Sequence, residues 1–176
     1  QMIHSIHEKW AKLLVHYCCT VQPGENVAIH IDNLAEPMAR ALYREILRSD
    51  ANPVLRMTYA EILEDTLECA SDSFLESEAS LDLAEINQIQ SWIRIRAPHN
   101  TKALDASDKS KFSKLLKKQR PVSNIRVNST KWCLSNYPTA AGAQDAGMSL
   151  DDYETFVYGA MFLFDDDPVQ KWQEIY

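Results

Sequence analysis

At 176 residues, 45% of them hydrophobic and 24% charged, the chain suits one globular domain that buries its core without disulfides or a structural metal. Its apolar runs fall far short of the roughly 18 residues a membrane helix needs, and no unbroken apolar N-terminal core marks a signal peptide. Four cysteines, at 18, 19, 69 and 133, form no CxxC pair and lie near no His at zinc-finger spacing, so the reading is free thiols in a reducing cytoplasm.

Residues 2–20 place Ile3, Ile6, Trp10, Leu13, Leu14 and Tyr17 on one helical face, with His4, His7 and Glu8 read as solvated surface. Pro23 and Gly24 make a turn, and 27–31 reads as a strand ending at Asp32. Pro37 suits the first turn of a helix running to about Ser49 with Met38, Leu42 and Ile46 inward. A second strand at 54–59 follows Asn52 and Pro53, giving a strand–helix–strand unit with a crossover long enough for parallel pairing.

The net charge of −7 is the sum of unequal blocks. Residues 61–90 carry nine acids and no Lys or Arg, 91–131 carry eleven bases against two acids, and 132–176 carry eight acids against one base. The acidic block reads as two helical pieces, 61–69 and 74–89, separated by 71–73. A third strand at 92–97 closes on Pro98 and the polar turn 99–101. The basic stretch 109–118 reads as a helix with Phe112, Leu115 and Leu116 inward, ended by Pro121, with Ile125 and Val127 in a short extended piece. Oppositely charged blocks of this kind are the solvated faces of neighbouring helices in one domain; the alternative is a nucleic-acid surface on 109–120.

A fourth strand at 131–134 breaks at Asn136-Tyr137-Pro138. A small-residue helix then runs from 139 to 146 and stops at Gly147. Ser149 caps the next helix, with Asp152 three residues on, and Tyr153, Phe156, Val157, Ala160, Met161 and Phe164 recur as one apolar face. Asp165-Asp166-Asp167 before Pro168 is read as a cap with Pro at the first helical position, Val169 and Trp172 facing the body of the domain or a missing neighbour. The fold class is therefore α/β: one domain over 1–176, with a mainly parallel four- or five-stranded sheet and helices on both faces. Trp132 and Leu134 are expected to be buried in that sheet.

Three segments of the C-terminal third carry a resemblance: W-x-L-x-x-Y-P-T from Trp132 to Thr139, A-x-x-A-G-M-S-L-x-x-Y from Ala143 to Tyr153, and D-P-V-x-x-W from Asp167 to Trp172. With Val21-Gln22-Pro23-Gly24-Glu25, Ala39-Arg40-Ala41-Leu42 and Arg96-Ala97-Pro98 upstream, the chain resembles the thermophilic metallo-aminopeptidase (leucine aminopeptidase T) family over nearly its whole length, and only that family's front half. The resemblance implies a peptide substrate and a divalent metal pair (zinc, cobalt or manganese) in the full-length enzyme. It also implies a C-terminal catalytic domain, absent here, that holds those metals. No metal ligand and no catalytic residue is expected in this chain.

In a sheet of this kind ligands gather at the carboxyl ends of the strands. The candidate residues of a substrate or interdomain cleft are Arg96, Pro98, His99, Asn100, Thr101, Asn136, Tyr137 and Thr139; turn chemistry alone accounts equally for Pro, Asn and Thr there. Four glycines, at 24, 142, 147 and 159, leave no GxGxxG fingerprint and no phosphate-binding loop, and neither GxSxG nor HExxH occurs. A phospho-receiver reading fails because Arg96-Ala97-Pro98 stands where an Asp is required. The expected partners are the catalytic domain and peptide, with no nucleic acid and no membrane, and a homo-oligomer stays open. A stand-alone binding or interaction domain is the rival from another class.

Overall fold

The computed structural model describes residues 2–99 and 104–175. Four strands, β1 (Asn26–Asp32), β2 (Asn52–Thr58), β3 (Ser91–Arg96) and β4 (Lys131–Asn136), form one sheet in the order β2-β1-β3-β4. Every pairing is parallel, as the crossover lengths require. The order reverses between β1 and β3, which places the topological switch point at their carboxyl ends.

One face of the sheet carries the main core. The register aligns Ile29 with Leu55 and Ile93, and Ile93 with Cys133. Over Val27, Ile29, Ile31, Ile93 and Ile95 pack α1 (Met2–Lys12), its π-helical continuation Leu13–Cys18, and α2 (Glu36–Arg48). Met38, Leu42 and Ile46 of α2 are fully buried, as their spacing predicts. The π turn, with more residues per turn than an α-helix, shifts the inward register so that Val15 and Cys19 are buried alongside Leu13 and Leu14. His7, read as surface from sequence, is buried instead: its ring lies 5.5 Å from that of Tyr137 and 6.5 Å from that of Tyr158.

The other face is covered by a long helix, α6 (Ala106–Ser129), and by α5 (Ser80–Ile86). Pro121 does not end the basic helix. The single hydrogen bond a proline removes is outweighed by packing beyond it: Val122 and Ile125 sit against Ala28, Ile86, Ile89 and Trp92, and the Arg126 guanidinium lies 4.5 Å from the Trp92 ring. Leu116, expected inward, is exposed. The acidic block forms three helices rather than two, α3 (Ile62–Cys69), α4 (Asp72–Glu76) and α5, because Ala70 and Ser77 are extended and Ser71 caps α4 through the Phe74 amide.

The two charge blocks are neighbours. From α6, Lys111 donates to the Leu67 carbonyl (2.9 Å), Lys114 to Asp72 (2.9 Å) and Lys118 to the Phe74 carbonyl (2.8 Å), its ammonium lying 3.8 Å from the Phe74 ring. Three cations of the stretch read as a possible nucleic-acid surface are thus turned onto the acidic helices, which is the solvated-neighbour arrangement.

Beyond the sheet, α7 (Ala140–Asp145), α8 (Leu150–Ala160) and α9 (Pro168–Ile175) return over the α1 side. Gly147 takes the left-handed conformation (φ +69°) that ends α7, and Ser149 caps α8 by accepting from the Asp152 amide. Gly142 allows a close approach, since a Cβ there would lie 3.1 Å from the Tyr153 ring. The buried residue of α8 is Tyr158, whereas Phe156 is 62% exposed. The helix carries two apolar stripes, and the one holding Tyr158 and Val157 turns inward because Tyr158 meets Trp10 edge-on at 6.0 Å. Asp167 caps α9 by accepting from the Gln170 amide. Val169 and Trp172 pack on the core as expected, the indole donating to the Met161 carbonyl (3.2 Å).

Trp132 and Leu134 are not buried: they are 47% and 45% exposed. β4 is an edge strand, and the packing on this face buries Ala28 of β1 and Trp92 of β3 but not these two residues. Trp132 is the register partner of Trp92, so the two form an apolar strip covered at one end and open at the other. No helix among the described residues is long and apolar enough to cross a membrane.

Candidate functional site

The switch point is built around Asp32, the last residue of β1. One carboxylate oxygen accepts from Arg94 (2.9 Å) and from the Thr58 hydroxyl (2.9 Å), and the other from the Ala97 amide (2.8 Å). Arg94 also donates to the carbonyls of His30 and Ile95, each at 3.2 Å. Burial alone would raise the Asp32 carboxyl, but the Ala97 amide and the Arg94 guanidinium outweigh it and hold the group below its ordinary value. A carboxylate so engaged ties the ends of β1, β2 and β3 together and has little capacity left for a ligand.

The loops after β3 and β4 are stitched to each other. The Tyr137 amide donates to the Arg96 carbonyl (2.6 Å), and the Thr139 hydroxyl donates to the Pro98 carbonyl (2.6 Å). Thr139 also caps α7 by accepting from the Gly142 amide. The candidate residues Arg96, Pro98, His99, Asn136, Tyr137 and Thr139 therefore belong to one continuous shelf, while Asn100 and Thr101 lie outside the described residues. Arg96 and Asn136 present exposed side chains on it. Thr139 works within the scaffold as a staple.

Tyr137 points elsewhere. Its ring stacks on Trp10 (6.2 Å, 10° between planes) and its hydroxyl lies 3.2 Å from His7 Nε2. Burial raises the hydroxyls of both Tyr137 and Tyr158, with the neighbouring Glu154 carboxylate acting in the same direction, so both remain protonated hydrogen-bonding groups at neutral pH. His99, half-buried, stands 3.8 Å from a Glu64 oxygen of α3. Its Nε2 and the second Glu64 oxygen make no hydrogen bond among the described residues. Glu64 was invisible to sequence reasoning, since it sits mid-way along an acidic helix with nothing in its spacing to distinguish it from its neighbours.

Other polar groups carry less. His30 lies in β1 with its ring 5.1 Å from that of Trp92, and burial lowers its pKa to about 4, so it is neutral at pH 7.

The family model for thermophilic metalloprotease (M29) matches residues 4–176. This chain belongs to that metallopeptidase family. No curated protein matches it significantly. Among solved structures, wild-type AmpT from Thermus thermophilus superposes with a TM-score of 0.68 at 16% sequence identity, over 96% of this chain and 45% of AmpT. That likeness is one of fold, and the chain spans less than half of the AmpT length. A CurK enoyl reductase structure aligns at 9% identity over 96% of this chain and 49% of that one, but its TM-score of 0.32 carries no argument.

The family is described as one of metalloproteases. Among the described residues, however, no group of three or more His, Cys, Asp or Glu side chains is placed to hold a metal ion. The described residues of this M29 chain do not fit a metal centre, and no reaction step is assigned to them. Asp165, Asp166 and Asp167 line a shallow depression with Lys171, and their placement at the head of α9 is that of a helix cap.

Proposed function

We propose that this chain is the N-terminal domain of a metal-dependent aminopeptidase that removes N-terminal residues from peptides. The observation supporting it most directly is the M29 match over residues 4–176; the coverage of less than half of AmpT agrees with it. In this reading the catalytic pair of divalent ions, zinc, cobalt or manganese, is held by a C-terminal domain, where the metals activate a water and polarise the scissile carbonyl. The shelf formed by Arg96, Pro98, His99, Asn136 and Thr139, with Asn100 and Thr101 following in sequence, shapes substrate access and the contact between domains. The open end of the Trp92–Trp132 strip, with Leu134 beside it, supplies apolar surface for that contact. The enzyme is placed in the cytoplasm, acting on peptides without nucleic acid or membrane, and a homo-oligomer is compatible with it.

The test is steady-state kinetics on a polypeptide extended through the C-terminal domain. His99→Ala and Arg96→Ala should raise KM for peptide substrates with a smaller change in kcat, because residues that only guide substrate contribute equally to ground and transition states. Trp132→Ser should weaken the contact between domains, seen as separate melting transitions. Unchanged KM in both shelf variants would remove the cleft from the proposal.

A further inference from the structure

Two of the four thiols meet in a setting that the peptidase reading does not use. Cys19 follows the π-helical turn and is fully buried; Cys133 is the third residue of β4 and half-buried. They are 114 residues apart in sequence, yet their sulfurs are 3.7 Å from each other. Both sit toward the amino ends of β3 and β4, where Ser91 and Lys131 begin those strands, the end of the sheet opposite the shelf.

The surroundings of Cys19 lower its pKa. The hydrogen-bonding contact with Cys133, in which either sulfur can donate, is the largest influence, and the Lys131 ammonium and Ser91 hydroxyl act in the same direction. Burial and the Glu25 carboxylate oppose them, and the net effect is a pKa below the ordinary thiol value. Lys131 is held in place by Glu25 at 3.0 Å. Cys133 is shifted the other way, upward, by the same hydrogen bond and by burial. The two sulfurs thus share one hydrogen-bonding contact, and the Cys19 thiol also reaches the Lys131 carbonyl at 3.6 Å.

We propose that Cys19 and Cys133 form an oxidation site that closes a reversible intrachain disulfide, with a hydroperoxide as oxidant. One S–S bond replaces the two S–H bonds. The O–O bond of the hydroperoxide breaks, and its two oxygens take up the two electrons and two protons to leave as an alcohol and water. The hydroperoxide meets Cys133, the sulfur open to solvent; this sulfur takes up one oxygen as a sulfenic acid while its proton leaves with the alcohol, and Cys19 then displaces that oxygen as water, its own proton going with it. The sulfurs must close from 3.7 Å to about 2 Å. Closure ties the first helical segment to the edge strand β4, and a thiol reductant reverses it.

The experiment treats the reduced protein with tert-butyl hydroperoxide, then counts thiols in denaturant and maps cross-linked peptides. Free thiols should fall from four to two, with Cys19 joined to Cys133, and dithiothreitol should restore them. Cys18→Ser should form the same bridge and Cys133→Ser should not. The same treatment in 8 M urea should scatter pairing among all the cysteines, so a folding defect in Cys133→Ser does not leave the assignment open. A bridge through Cys18, an intermolecular bridge, sulfinic acid without a bridge, or no loss of thiols would each overturn the proposal.

Discussion

Replacing Asp32 by Ala should destabilise the protein by about 2–4 kcal/mol. The carboxylate is the common acceptor for Arg94, Thr58 and the Ala97 amide, and its side chain is 14% exposed. Hydrogen bonds to a charged group contribute about 1.5–3 kcal/mol each, but three bonds to one acceptor do not add. Breaking a buried ion pair costs about 3–5 kcal/mol. Arg94 is 23% exposed and keeps its two carbonyl partners, so solvent screening lowers that figure. Against a total stability of about 5–15 kcal/mol the loss is large enough to measure by urea titration.

The pH dependence gives the same experiment a second readout. The folded-state pKa of Asp32 lies below its ordinary value of 3.8, so the contribution is fully present above pH 3.8 and is lost as pH falls through the folded-state value. The difference between wild type and Asp32→Ala should be constant from pH 5 to 8 and narrow below about pH 4. A difference under about 0.5 kcal/mol, within the range of ordinary surface changes, or one that persists unchanged in acid, would refute the role assigned to Asp32.

Three further outcomes follow from burial, backbone and titration. Trp10→Ala, at a fully buried position, should cost about 3–5 kcal/mol, whereas Phe156→Ala should stay within about 1 kcal/mol because that ring is largely exposed; equal midpoints in urea for the two variants would show that the face of α8 is wrongly oriented. Gly147→Ala should cost about 1–2 kcal/mol through the left-handed backbone at φ +69°, read as a lowered melting temperature. His30 should titrate by NMR at about 4; because the unfolded chain binds this proton first, His30 should make the protein less stable as pH falls from about 6.5 to 4, and His30→Gln should flatten that slope.

The strands were legible because each is a short β-branched or aromatic run bounded by Pro, Asn or Asp, and the crossover helices between them left parallel pairing as the economical arrangement. Helix caps at Ser149 and Asp167 were local chemistry and were equally readable. What sequence periodicity did not contain was the lateral order of the strands. Without knowing that β4 is an edge, Trp132 and Leu134 look like core, and an amphipathic α8 with two apolar stripes offers no local reason to prefer Tyr158 over Phe156. His7 was misread for a related reason: its burial depends on Tyr137 and Tyr158, which arrive more than a hundred residues later. Pro121 misled because packing of Val122 and Ile125 on the far side of the sheet overrode a local breaker.

The shelf was only partly legible. Its members were found as strand-end turn residues, but the distinction between Thr139, which staples two loops, Tyr137, which enters the core, and His99, which faces Glu64, rests on contacts between elements far apart in sequence. The pairing of Cys19 with Cys133 is of the same kind, since nothing in the spacing of four dispersed cysteines selects those two.

The proposal that the catalytic metals belong to another domain is tested most directly by calorimetric titration of zinc, cobalt and manganese into the purified 176-residue chain, with aminoacyl-amide hydrolysis followed on the same samples. The chain alone should take up no tight pair of ions and should hydrolyse nothing above the metal blank, while the polypeptide extended through the C-terminal domain should do both. Tight binding of two ions by the 176-residue chain, coupled to peptidase activity, would contradict the account and place the active site within the residues described.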